Sequence, residues 1–143
     1  MTGLVLDASV TMTWLLADVT GGDHAYARDV LDATQKPDAV AVVPVTWALE
    51  ISNVLARTEA REIVTEAHSQ AFIEMLSALP IRADDATFTR ALTDTLHLAR
   101  RYRLTSYDAS YLELALRAGL PLATLDVELA RAASRAGVRR FAA

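Results

Sequence analysis

Short apolar runs alternate with longer amphipathic stretches along this chain of 143 residues. The runs have the length and composition of strands buried in a parallel sheet. Strands are predicted at 4–6, 39–43 and 122–125, with an edge strand at 80–82 and a last strand at 138–141. Because strands and helical stretches follow one another in turn, the pattern predicts a single α/β domain over 1–143. Its mostly parallel five-stranded sheet is expected to carry helices on both faces.

Seven helices are predicted from apolar residues at helical spacing and from capping residues. Ser9 and Asp23 are the predicted N-caps of the first two helices, the pair 84–85 caps the fifth, and Thr105 or Ser106 caps the sixth. The helices are placed at 9–17, 24–33, 46–58, 65–79, 86–102, 106–119 and 127–136. The predicted inner stripe of the fifth helix comprises Phe88, Leu92, Thr95, Leu96 and Ala99.

Four acidic residues occupy positions that point to one common place in this fold. Asp7 and Asp126 stand directly after predicted strands, where open α/β sheets carry their functional groups. Asp108 shares the apolar stripe of the sixth helix, and Glu50 flanks the apolar stripe of the third. Because parallel strands end at the same edge of a sheet, the four carboxylates are predicted to converge there.

Each acid alone also has a structural explanation. Asp7 and Asp126 can cap helices, and Glu50 can pair with an arginine on its flank. Asp108 is the hardest to explain in this way, because a buried charge is costly unless it is paired or binds a cation. Four carboxylates in one pocket cannot all stay charged without cations.

The available donor atoms narrow the choice of cation. The chain has no Cys, and its three His residues are scattered with no pair four positions apart. A site made only of carboxylate oxygens favours hard ions such as Mg²⁺ or Mn²⁺. Such a site suits metal-assisted phosphoryl transfer, in which water is activated and phosphate charge is neutralised.

The net charge of −4 argues at first against a nucleic-acid substrate. It arises from 18 acidic and 14 basic residues, so cations bound by four acids would leave the remaining charges balanced. Every base except Lys36 is an arginine, a residue suited to bidentate phosphate contact. The candidate RNA contacts are Arg57, Arg61, Arg100, Arg101 and Arg103.

The expected location is the cytoplasm. The chain has no Cys for disulfides, no apolar run long enough for a membrane span and no signal-peptide pattern at its start. A membrane partner is therefore not expected.

Four stretches of the chain together resemble the PIN domain family, and the resemblance covers nearly the whole sequence. The Tyr-Asp-Ala-x-Tyr-Leu and Leu-Ala-Thr-Leu-Asp pieces are the most specific, whereas Asp-Ala-Ser alone is not. The length and the order of the motifs are similar to the VapC toxins of bacterial and archaeal toxin–antitoxin pairs. The stretches are 6–9, 44–50, 104–111 and 122–126.

The resemblance assigns roles to particular residues. The catalytic and metal-binding acids of the family map onto Asp7, Glu50, Asp108 and Asp126. Its hydroxyl positions map onto Ser9 and Thr124, which would orient carboxylates or water behind the metal ligands. The implied sheet has the strand order 3-2-1-4-5.

The resemblance also implies an activity and partners. It implies a Mg²⁺-dependent endoribonuclease that cuts structured RNA, often tRNA or ribosomal RNA, and leaves a 3′-hydroxyl and a 5′-phosphate. Mn²⁺ would substitute for Mg²⁺. Members usually form homodimers, and a cognate VapB-type antitoxin wraps the toxin and inserts a basic side chain among the acids.

Other functions make different demands on the sequence. A phosphatase with an Asp nucleophile would need a second Asp where Ser9 stands, and a phospho-acceptor domain would need a Lys near the site, whereas Lys36 lies in a polar loop. A housekeeping RNA-processing nuclease of the same fold and a non-catalytic RNA- or protein-binding module stay open. The small size and the lack of an appended RNA-binding region favour the toxin.

Overall fold

The structure is a computed structural model that describes residues 2–22 and 24–142. Its sheet has the order β3-β2-β1-β4, and all three pairs of neighbouring strands are parallel. The carboxyl ends of the strands therefore meet at one edge, as the sequence predicts. The strands are β1 (Thr2–Leu6), β2 (Ala39–Val43), β3 (Ile81–Ala83) and β4 (Leu122–Ala123).

The prediction of a fifth strand at 138–141 is wrong, because the described chain forms a four-stranded sheet. The final segment touches β4 through one isolated bridge between Leu122 and Arg140. Its first N–H, on Val138, donates to the Ala133 carbonyl of the preceding helix instead of to a strand. The order 3-2-1-4-5 is accordingly reduced to 3-2-1-4.

Seven helices flank this sheet in the described chain, as predicted. The fifth, α5, spans 87–102 and has a π-helical segment in its middle (Thr87–Arg90, Ala91–Thr95 and Leu96–Tyr102). The others are α1 (Ala8–Thr20), α2 (Ala25–Thr34), α3 (Trp47–Ala60), α4 (Glu66–Ser77), α6 (Ser106–Ala118) and α7 (Val127–Arg135). No helix of 2–22 and 24–142 is long and apolar enough to cross a membrane.

The predicted inner stripe of α5 is wrong in its first half. Phe88 and Leu92 are 90% and 84% exposed, whereas Thr95 is buried. Leu92 and Thr95 both lie in the π-helical segment, whose longer hydrogen-bond period changes the stripe that a regular α-helix would present. Two large apolar side chains therefore face outwards on adjacent turns.

Two of the predicted N-caps are also wrong. The Ser9 hydroxyl bonds to Asp7 and to the Leu125 N–H, so it does not cap α1. Asp84 is buried and accepts hydrogen bonds from the Arg117 guanidinium, while Ala86 holds the cap position of α5 without a side-chain bond. Both side chains are engaged by groups distant in sequence.

The cap of α6 is as predicted, and that of α2 is only partly described. The Thr105 hydroxyl accepts from the Asp108 N–H at the start of α6. Asp23 lies outside the described residues, and the N-cap of α2 is His24, whose ring accepts from the Ala27 N–H.

A buried core fixes the helices that carry the candidate site. Leu4, Val5 and Leu6 of β1 are almost fully buried, and Tyr111 and Leu112 of α6 are completely so. Burial of this apolar surface holds the start of α6 against the sheet. The other large, fully buried side chains are Val10, Thr11, Leu15, Val30, Thr34, Leu122 and Leu129.

Candidate acidic site

The candidate site lies at the carboxyl edge of the sheet, between the ends of β1 and β4. Asp7 follows β1 directly, and Asp126 is the third residue after β4 and the N-cap of α7. Glu50 lies in the first turn of α3 and Asp108 in the first turn of α6. Asp7 is buried, and the other three acids are half-buried.

Two hydroxyl groups fix the Asp7 carboxylate. The Ser9 hydroxyl donates to Asp7 Oδ2 at 2.6 Å, and the Thr124 hydroxyl donates to the same oxygen at 2.7 Å. Burial raises the pKa of Asp7, the two hydroxyl bonds lower it, and the charge of Asp126 raises it again, with a net increase. A carboxylate held in this way has a defined orientation but a costly charge.

The same hydroxyls are themselves oriented by backbone donors. Ser9 Oγ accepts from the Leu125 N–H at 3.0 Å, and Thr124 Oγ1 accepts from the Asp126 N–H at 3.0 Å. Each hydroxyl proton is therefore directed towards Asp7. These bonds also explain why β4 ends at Ala123, because the Leu125 N–H is used by a side chain instead of a strand.

Glu50 accepts a hydrogen bond from the Tyr111 hydroxyl across the gap between α3 and α6. Burial raises the pKa of Glu50, the Tyr111 bond lowers it, and the charges of Asp7 and Asp108 raise it, with a net increase. This bond of Tyr111 was not predicted from the sequence. A buried Tyr in place of Phe was the available signal, because a buried hydroxyl needs a partner.

The pKa of Asp108 is raised by burial and by the charges of the neighbouring acids. Burial, followed by the negative charges of Asp126 and Asp7, raises its pKa to about 6, against an opposing bond from Thr105. Asp126 caps α7, because its Oδ1 accepts from the Leu129 N–H at 2.9 Å. The capping role and a place in the acidic site are therefore compatible for Asp126.

The four acids influence one another without a basic partner. Among the residues that the structure describes, no ion pair includes Asp7, Glu50, Asp108 or Asp126. As the side chains stand, no three His, Cys, Asp or Glu residues of the described chain are close enough to hold one metal ion together. Like-charge repulsion keeps unscreened carboxylates apart, and a cation would favour their approach.

The donor set nevertheless fits a hard divalent cation. It consists of carboxylate oxygens only. Three of the four carboxyl groups have raised pKa values in the absence of a positive charge. A divalent ion would supply that charge and stabilise the ionised forms.

Comparison with known proteins identifies the fold family. The family model described as PIN domain matches residues 4–135. This chain belongs to the PIN domain family. PIN domains are generally nucleases that use divalent metals. No curated protein matches the chain.

Two solved structures resemble this PIN domain. The crystal structure of PAE2754 from Pyrobaculum aerophilum is 25% identical over 92% of this chain and 86% of its own, with a TM-score of 0.63. VapBC2 from Rickettsia felis, bound to a DNA fragment from their promoter, is 12% identical. That match covers 88% of this chain and 89% of the other, with a TM-score of 0.61, and shows the fold alone.

The predicted RNA contacts fall at two places on the PIN domain, and all are exposed. Arg100 and Arg101 lie in the last turn of α5 and Arg103 directly follows it, before the turn that leads to Asp108. Arg57 and Arg61 lie at the far end of α3, about 10 Å or more along the helix axis from Glu50. The first group is therefore better placed for a substrate at the acids, and contact of either group with RNA stays a prediction.

Proposed function

We propose that this chain is a Mg²⁺-dependent endoribonuclease toxin that cleaves structured RNA such as tRNA or ribosomal RNA. The observation that carries the proposal is the group of four uncompensated carboxylates at one edge of the sheet. Three of them are half-buried and open to a large substrate. Such a charge arrangement suits hydrolysis of a phosphodiester by metal-activated water.

In this proposal Asp7, Glu50, Asp108 and Asp126 hold the cation, and Mn²⁺ substitutes for Mg²⁺. When bound, such an ion would supply an activated water and would neutralise charge on the attacked phosphate. The chain's own groups provide the orientation. Ser9 and Thr124 fix the Asp7 carboxylate, and Tyr111 fixes that of Glu50.

Cleavage of bulk tRNA by the purified protein tests the activity. Asp7→Asn and Asp108→Asn are each expected to reduce the cleavage rate with Mg²⁺ or Mn²⁺ by about a hundredfold or more. Asp85→Asn removes the same charge from an exposed position and should leave the rate unchanged. Equal cleavage by all three variants would point to a contaminant and overturn the proposal.

A cognate VapB-type antitoxin in the cytoplasm is the proposed partner. Support comes from the sequence resemblance and from the shared fold of the Rickettsia VapBC2 structure. Induced expression of the chain is expected to arrest growth, and co-expression of the small adjacent gene product should restore it. Cleavage without growth arrest would indicate a housekeeping RNA-processing nuclease, and RNA binding without cleavage would indicate a binding module.

A homodimer is proposed through the exposed apolar surface formed by Val45, Leu49, Phe88 and Leu92, which are 50%, 71%, 90% and 84% exposed. The Val45 N–H donates to the Thr87 hydroxyl, so the start of α3 and the start of α5 are adjacent. Large apolar side chains exposed on two adjacent elements are typical of an interaction site. A second copy would cover it beside the first turn of α3, which carries Glu50.

Light scattering of the purified protein tests the dimer. Phe88→Asp is expected to convert a dimer into a monomer, because it places a charge at the most exposed of the four apolar positions. Ile63→Asp, at a position 45% exposed in the turn after α3, is the matched control and should remain dimeric. A monomeric wild type, or a dimeric Phe88→Asp protein, would contradict this interface.

A further inference from the structure

Arg140 carries a fixed positive charge beside the acidic site. Its guanidinium carbon lies 3.8 Å from the centroid of the Tyr26 ring, which is a stacking distance. Its Nη2 donates to the Thr124 carbonyl at 3.3 Å. The Tyr26 hydroxyl in turn donates to the Phe141 carbonyl at 2.9 Å, which holds the aromatic ring against the final segment.

Thr124 connects this arginine to the acids. Its carbonyl accepts from Arg140, while its hydroxyl donates to Asp7. Because both hydrogen bonds are made by the same residue, the guanidinium lies within about 10 Å of the Asp7 carboxylate. The isolated bridge with Leu122 places the backbone of Arg140 beside β4 at the outer edge of the sheet, and β4 ends at the acidic site.

The Arg140 guanidinium has further N–H groups that can donate to a ligand. Arg140 is exposed, and a stacked guanidinium presents its remaining in-plane N–H groups at the rim of the ring. Asp29 lines the same surface depression, but no carboxylate of the described residues forms an ion pair with Arg140. The positive charge is thus held in place without an anionic partner among the described residues, and such a guanidinium can bind a phosphate.

We infer that Arg140, held by Tyr26 and Thr124, binds a backbone phosphate of the RNA next to the phosphodiester that reaches the acids. The inference rests on the proposed ribonuclease function and adds a substrate contact outside the group at the end of α5. It also predicts that the strand passes over the β4 edge of the sheet.

Binding of fluorescein-labelled bulk tRNA in chelator tests the contact, since no cleavage then interferes. Arg140→Ala is expected to weaken binding about tenfold, the loss of one charge-assisted contact. The slope of log affinity against log salt should fall by about 0.7 to 0.9, because one phosphate is no longer neutralised. Tyr26→Leu keeps the charge, removes the ring and should weaken binding in the same direction.

Arg139→Ala is the matched control, since it removes the same charge from the neighbouring residue. Arg139 lines a depression beside Leu120 and Pro121, at the amino end of β4 and away from the acids. Its loss should leave affinity and salt slope unchanged. Circular dichroism melting curves of the variants check that each of them is folded.

The outcomes separate the inference from the proposed function. Equal tRNA binding by Arg140→Ala, Arg139→Ala and wild type, with cleavage by wild type in Mg²⁺, overturns the inference and leaves the nuclease proposal in place. Binding that depends on Arg140 without any cleavage supports the contact in a non-catalytic RNA-binding protein. A wild type that binds no tRNA overturns the contact.

Discussion

At the scale of single residues, buried hydroxyl groups of this PIN domain have contrasting surroundings. Thr11 and Thr34 are both fully buried, but only the Thr34 hydroxyl has a partner, the Leu31 carbonyl at 2.8 Å. The Thr11 hydroxyl has no hydrogen-bond partner. A buried polar group without a partner loses its hydration and gains nothing in return.

Thr11→Val is expected to raise the free energy of unfolding by about 1 kcal/mol, because it replaces an unpaired hydroxyl with a methyl group of similar shape. Thr34→Val removes a paired hydroxyl at equal burial and should lower the free energy of unfolding by about 1 kcal/mol. Urea denaturation of both variants measures the difference. A destabilised Thr11→Val protein would show that its hydroxyl has a partner in solution.

The hydroxyl of Tyr111 has a functional neighbour in Glu50. Its donation favours the ionised carboxylate, so Tyr111→Phe removes a bond that lowers the pKa of Glu50. The acid limb of the pH profile of RNA cleavage is therefore expected to move towards higher pH. Tyr107→Phe, in the same helix at a 62% exposed position, should leave the profile unchanged. Identical profiles for all three proteins would exclude this role of Tyr111.

At the scale of elements, a buried ion network joins α6 to the end of β3. Arg117 donates to both oxygens of Asp84 at 3.1 and 2.7 Å and to Glu113 at 2.9 Å. The side chains of Asp84 and Glu113 are 6% and 5% exposed. Burial raises the pKa of Asp84, but bonds from Arg117 and Thr87 outweigh it and lower the pKa.

Arg117→Met should lower the free energy of unfolding by about 3 kcal/mol, because it leaves two buried carboxylates without a cation. Adding Asp84→Asn and Glu113→Gln to that variant should restore part of the loss. Arg131→Met breaks an ion pair with Glu128 whose side chains are 58% and 74% exposed, and should cost less than about 1 kcal/mol. Similar losses of unfolding free energy for Arg117→Met and Arg131→Met in chemical denaturation would contradict a special contribution of the buried Arg117 network to stability.

At the scale of the whole molecule, the acidic site opposes folding near neutral pH. Burial and neighbouring negative charge raise the pKa of Asp108 to about 6, and the pKa values of Asp7 and Glu50 are raised as well. Between the unfolded value, about 3.9 for Asp, and the folded value, the folded protein binds more protons than the unfolded chain. Stability therefore falls as the pH rises through this window.

In chelator, the melting temperature is expected to be higher at about pH 5 than at about pH 7.5. Asp108→Asn should reduce that difference, because the amide does not ionise. Addition of Mg²⁺ or Mn²⁺ at the higher pH should raise the melting temperature of wild type more than that of the variant. A melting temperature that rises with pH over this range in wild type would contradict the raised pKa values.

The local pattern was sufficient for most of the architecture. The strand at 39–43 has the predicted bounds, and the sixth helix ends at Gly119 with a φ of 67°. The positions of the acids after strands and in first helical turns followed from parallel topology. Apolar periodicity and capping residues act over a few positions, so they can be recognised without the remaining chain.

Hydrogen-bond partners far apart in sequence were decided only by the tertiary structure. Ser9 contacts Leu125, and Asp84 contacts Arg117, so neither is the helix cap that its local setting indicated. The exposed position of Leu92 lies in a π-helical segment that periodicity alone does not reveal. The sequence determined which elements form and which edge carries the acids, because those properties are local. Tertiary packing decided which polar groups meet, because that depends on residues brought together only when the sheet and helices assemble.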